Sequence, residues 1–68
     1  MIFANAVVDL VSAGPKLSTF RVEVWGEQPH DYCRTYEILA KDESSAAMEG
    51  LDTFVQEITD LISTETFQ

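Results

Sequence analysis

The C-terminal third of the chain restricts the fold more than any other feature. Ala47, Leu51, Phe54, Val55, Ile58, Leu61 and Ile62 recur at offsets of four, three, one, three, three and one. That spacing is the period of an amphipathic helix with a single apolar stripe. A lone helix has to bury its stripe against another layer. The helix is expected from about Glu43 to Ser63, roughly 30 Å long at the standard rise per residue. Asp42, Ser44 and Ser45 are the N-cap candidates. Asp42 is preferred, because Glu43 then falls in the first turn, where the helix dipole favours an acid. Gly50 inside the helix costs about 1 kcal/mol relative to Ala, which close approach to a sheet offsets. Glu49, Asp52, Gln56 and Asp60 fall on the opposite side as an acidic stripe.

The sheet is read from two alternating runs. In "FRVEVWG", Phe20, Val22 and Val24 point one way, and Arg21, Glu23 and Trp25 the other. In "YCRTYEILA", Tyr32, Arg34, Tyr36, Ile38 and Ala40 share one face, and Cys33, Thr35, Glu37 and Leu39 share the other. β-branched and aromatic residues support both strands. The link "GEQPHD", with Gly26 and Pro29, fits a hairpin loop. The N-terminal run "MIFANAVVDLVS" reads two ways. Ile2, Ala6 and Leu10 suit a helix, whereas Ile2, Phe3, Val7, Val8 and Val11 suit a strand. Strand is adopted, ended by Gly14-Pro15. The expected fold class is α+β: a three-stranded antiparallel meander (β-β-β-α) with one C-terminal amphipathic helix packed on one face.

Sixty-eight residues make one domain, 1–68. Chains of this size bury only about 60% of their unfolded surface and are marginally stable. The single Cys excludes an intramolecular disulfide, and small secreted domains usually carry several. A reducing, cytoplasmic compartment is therefore expected. The start "MIFANAVVDLVSAG" lacks a basic n-region and is interrupted by Asn5 and Asp9, so it is not read as a signal peptide. No run approaches the roughly 18 apolar residues of a membrane span.

Twelve acids against four bases give a net charge of −8. Such a surface repels phosphates, so neither direct nucleic-acid binding nor anionic-membrane binding is expected. A protein partner with a basic surface would be drawn in. Seven of the acids lie in residues 41–68, beside the one base Lys41, so the negative field concentrates on the helix.

Chemistry-bearing residues crowd into "VWGEQPHDYC", which holds the only Trp, His and Cys. His30 and Cys33 have the i, i+3 spacing of some ligand or nucleophile pairs. A structural zinc site needs four ligands, and the chain has one His and one Cys. A Cys nucleophile needs a touching His and a third group to orient it, and Asp31, adjacent to His30, points away in extended backbone. "SAGPKLST" has the wrong spacing for a phosphate loop. No catalytic residue, metal ligand or cofactor site is therefore assigned, and an enzyme is not expected. Trp25 remains of interest. It either packs across the hairpin on Tyr32, Arg34 or Cys33, or is held out as an aromatic anchor. Tyr32 and Tyr36 flank Arg34, and with Trp25 they are expected to form an outer aromatic–Arg patch. The free sheet edges invite pairing with a second copy or a partner.

The stretch "FRVEVWGEQPHDYCRTYEILAKDESSAAMEGLDTFVQEI", about residues 20–58, resembles small open reading frames of bacteriophages in its strand ending at "VWG", its "PHDY…RTYEI" return strand and its "AKDESSAAMEG…FV" helix start. The resemblance implies an acidic accessory protein of the host-takeover or anti-CRISPR-like kind. Such proteins act by stoichiometric binding in the host cytoplasm, often with carboxylates placed where phosphates would lie. The β-β-β-α order is also similar to the later part of a double-stranded-RNA-binding domain. The first helix and the basic helix start of that domain are missing, since Asp42 and Glu43 follow Lys41. The expected function is thus a non-enzymatic acidic binding module that blocks a basic surface of a host nucleic-acid-processing complex. Its contact residues are expected to be Glu49, Asp52, Gln56, Asp60, Trp25, Tyr32 and Arg34. The alternative is a small virion or assembly protein acting as a homo-oligomer.

Overall fold

The computed structural model describes residues 3–28 and 31–66. Strand β1 spans Ala4–Ser12, β2 spans Ser18–Gly26, β3 spans Cys33–Ala40, and helix α1 spans Glu43–Thr66. The strands form one antiparallel sheet in the order β1-β2-β3, and α1 crosses one face. The expected meander and its helix are both present. Pro29 and His30, assigned above to the hairpin loop and to a ligand or nucleophile pair, lie outside the described residues.

Alternation decides what the sheet buries. Phe20, Val22 and Val24 of β2 and Ile38 and Ala40 of β3 are buried under α1. The register places Phe20 opposite Ile38 and Val22 opposite Tyr36. On the other side Val22 lies opposite Val8, and Val24 opposite Ala6. Directly opposed residues share a face, so Ala6, Val8, Leu10, Arg34 and Tyr36 all lie on the helix side. The N-terminal run is a strand because β2 supplies a paired edge for its valines. A register shift between Leu10 and Ser12 ends its regular pairing. Gly14 follows, and a Cβ there would sit 2.2 Å from the Leu17 carbonyl oxygen. No side chain fits in that turn.

The helix starts where the sequence places it. Asp42 Oδ1 accepts the Ser45 N–H at 2.8 Å, and the Ala46 N–H donates to the Asp42 carbonyl at 3.1 Å. The Ser45 backbone bond, and then its hydroxyl, hold the Asp42 carboxyl below its ordinary value. The buried line of the helix is Ala46, Gly50, Phe54 and Ile58. Each step is four residues, so the line drifts about 40° per step and winds round the helix, as a face that follows a twisted sheet must. This corrects the expected stripe at two places. Ala46 is wholly buried, whereas Val55 is 36% exposed. Gly50 has the expected role: a Cβ there would stand 2.7 Å from Val22 Cγ1.

Candidate functional site

Two surfaces can be built from these elements. The first is the outer side of α1. Glu49, Asp52, Gln56 and Asp60 fall within about 80° of one another around the axis, at 100° per residue. All four are exposed. From Glu49 to Asp60 the stripe is about 17 Å long. A shallow groove of about 590 Å³ on this side is lined by Glu49, Asp52, Thr53, Val55 and Gln56. Every lining residue belongs to one helix, a convex element, so the groove is a contact surface rather than a substrate cleft.

The stripe continues to the β3 flank. Arg34, Glu57, Asp60 and Leu61 line an open depression of about 380 Å³ between β3 and α1. Beside it the Tyr36 hydroxyl donates to Glu57 Oε1. Burial, then this bond and the Glu57 charge, push the Tyr36 phenol up to about 12, partly opposed by the Arg34 charge. The Arg34 guanidinium also donates to the Cys33 carbonyl at 2.8 Å. The Gly26 N–H donates to the Tyr32 carbonyl, which sets the alternation of this ladder. By that alternation Cys33 turns its backbone outward, so Arg34 covers an acceptor on the free edge of β3.

The second surface is the sheet face away from α1. Trp25 lies there, 39% exposed, opposite Asn5 on one side and Cys33 on the other. Arg21 stands between Asp9 and Glu37, and Glu23 between Val7 and Thr35. The register therefore lines up Asp9, Arg21 and Glu37 as a row of alternating charge across the three strands, and Arg34 lies on the other face.

The expected outer patch of Trp25, Tyr32 and Arg34 does not assemble. Arg34 is opposite Val24, on the helix side, whereas Trp25 is on the other. Tyr32 packs against the core cluster. One residue of offset in strand parity separates the two groups, because side chains alternate with a strict period of two. Tyr32 therefore does not stack on Trp25, and Cys33 is the cross-strand neighbour that remains from the three considered. The structure brings Arg34 instead to Glu57 and Asp60, beside the end of the acidic stripe. Sequence reading missed the part played by Glu57, whose only signal was its i+3 and i−3 relation to Asp60 and Phe54.

Among the described residues no group of three or more His, Cys, Asp or Glu side chains is arranged to hold a metal ion. No helix among them is long and apolar enough to cross a membrane. Comparison with known proteins found no family model, no curated protein and no solved structure that matches this chain.

Proposed function

We propose that the chain is a non-enzymatic binding module whose acidic helix face docks on a basic surface of another protein. The observation that carries the proposal is the exposed stripe of Glu49, Asp52, Gln56 and Asp60 on a helix whose opposite side is committed to the core. Carboxylates held in a row on a rigid helix lose little freedom on binding, and a net charge of −8 speeds encounter with a basic partner. The resemblance to phage accessory proteins supplies the partner class: a nucleic-acid-processing complex of the host, whose phosphate-binding surface the stripe would block.

The test is a matched pair of charge reversals. Glu49, Asp52 and Asp60 are changed to Lys in one variant, and Glu23, Glu27 and Glu37 in the other. Both alter net charge equally. Capture from a bacterial lysate should be lost in the helix variant and kept in the sheet variant, with helical circular dichroism unchanged in both. Equal loss in the two variants would reduce the effect to net charge. Retention in the helix variant would remove the stripe from the interface.

A second reading, a small assembly protein working as a homo-oligomer, is favoured by the bare edge of β1.

A further inference from the structure

The two edges of the sheet differ in kind. The edge of β3 carries Arg34 over an outward carbonyl and is flanked by Glu57 and Asp60. The edge of β1 has one charged residue, Asp9, and neither Lys nor Pro. Charges and prolines are the usual guards of an unpaired strand, and β1 has Asp9 alone. Val7, Leu10 and Val11 on it are 46%, 56% and 46% exposed.

The apolar character continues into the helix layer. Tyr36 fixes Glu57 toward β3. Met48, Leu51 and Val55 lie about 120–180° round the axis from Glu57, so they form the flank over β1. Met48 is 67% exposed and Val55 36%. The β1 side therefore carries exposed apolar side chains in both layers, whereas on the β3 side exposed Leu39 stands among Arg34, Glu37, Glu57 and Asp60.

We infer that β1 pairs antiparallel with β1 of a second copy, giving a continuous six-stranded sheet with both helices on one face. The backbone pattern selects the pairing. The Glu27 N–H donates to the Phe3 carbonyl at 3.0 Å, so Phe3, Asn5, Val7 and Asp9 turn their backbone groups toward β2. Ala4, Ala6, Val8 and Leu10 then turn theirs to the open edge. A two-fold axis through Val7 makes Ala6 and Val8 of the two copies exchange hydrogen bonds. It sets Val7 opposite Val7, Ala4 opposite Leu10, and Asn5 opposite Asp9. No like charges stand directly opposite, small meets large, and the only acid on the strand meets the Asn5 amide, whose second N–H can donate to it while the first holds Glu27 Oε2 at 3.4 Å. The strand is complementary to itself in that register.

The geometry closes with two copies, as an isologous contact must. By the strand spacing the helix axes stand about 14 Å apart, wider than direct helix packing at 8–10 Å. Leu10, Met48, Leu51 and Val55 of both copies fill that gap. The acidic stripes remain outward on the same face. The pairing rests on β1 and the apolar helix flank beside it, and does not depend on the acidic-face proposal.

The test uses Cys33→Ser as background. Val7→Cys places two thiols opposite one another at a non-hydrogen-bonded pair, whereas Leu10→Cys places them about 20 Å apart, six residues along the strand. Mild oxidation should link the Val7→Cys chains efficiently and the Leu10→Cys chains poorly. Equal linkage of both, or none at Val7, overturns the register. Sedimentation of the unmodified chain should give a dimer in the micromolar range. The dimer should tighten several-fold as ionic strength rises from about 0.01 M to about 0.15 M, because the Debye length shrinks from about 30 Å to about 8 Å across two like-charged copies. Val7→Lys, at an exposed position, should give a folded monomer. A chain that stays monomeric to several hundred micromolar overturns the proposal and leaves the edge to a strand of another protein.

Discussion

Gly50→Ala separates two physical effects of opposite sign. In an isolated helix the change is favourable by about 1 kcal/mol, since Ala is the best helix former and Gly among the worst. Here the new Cβ would stand 2.7 Å from Val22 Cγ1, 3.3 Å from Val22 Cβ and 3.5 Å from Ile38 Cδ1. Comfortable carbon contacts begin at about 3.5 Å, so something must move by close to 1 Å. Val22 is wholly buried and β-branched, with few rotamers to escape into. Overpacking of this kind costs about 1–3 kcal/mol. The net is a loss of about 1 kcal/mol, a fall in Tm of about 4–8 °C for a domain of this length. Urea and thermal unfolding of four chains measure it: unmodified, Gly50→Ala, Val22→Ala and the double variant. Val22→Ala alone should cost about 2–3 kcal/mol through lost burial and a cavity. In that background the added methyl finds space, and Gly50→Ala should turn stabilising by about 1 kcal/mol. The coupling between the sites is then about 2 kcal/mol, within the range for residues in contact. If Gly50→Ala stabilises the unmodified chain, the helix stands off the sheet and the packing argument is wrong.

Two further outcomes concern titration. With Tyr32 changed to Phe, Tyr36 is the sole phenol, and its absorbance titration should have a midpoint at about 12. Glu57→Gln should lower that midpoint only part of the way to the usual value near 10, because burial is the larger cause and remains. The folded value is raised, so this stabilisation is complete below about pH 10 and fades toward pH 12; an unmoved midpoint would remove the Glu57 bond. Asp42 has a depressed value, so its contribution is present above the ordinary carboxylate range and fades as pH falls below it. Asp42→Asn should keep most of the helix capping at neutral pH and flatten the acid limb of the unfolding curve, whereas Asp42→Ala should lower stability across the range.

Much of the architecture was legible because it rests on local periodicity. The strand alternation at Phe20–Trp25 and Tyr32–Ala40 and the helix start at Asp42 all follow from neighbours in the chain. The limits appear where a face depends on a distant element. Ala46 is buried and Val55 exposed because the buried line winds round the helix to follow the twist of the sheet, which no helical period reveals. The candidate patch failed for a similar reason. Trp25 and Arg34 carry opposite parities, but the face assigned to each becomes definite only when β2 pairs β3 as Trp25 with Cys33 and Val24 with Arg34.

The sequence by itself determined the order of elements, the strongly acidic character of the outer helix and the lack of paired cysteines. Its short-range rules of alternation, capping and charge are sufficient for those. Only the tertiary structure decided that Gly50 meets Val22, that Tyr36 reaches Glu57, and that the two sheet edges are unequal. Each joins elements through side chains many residues apart, and register and crossing angle, rather than any local preference, set those distances.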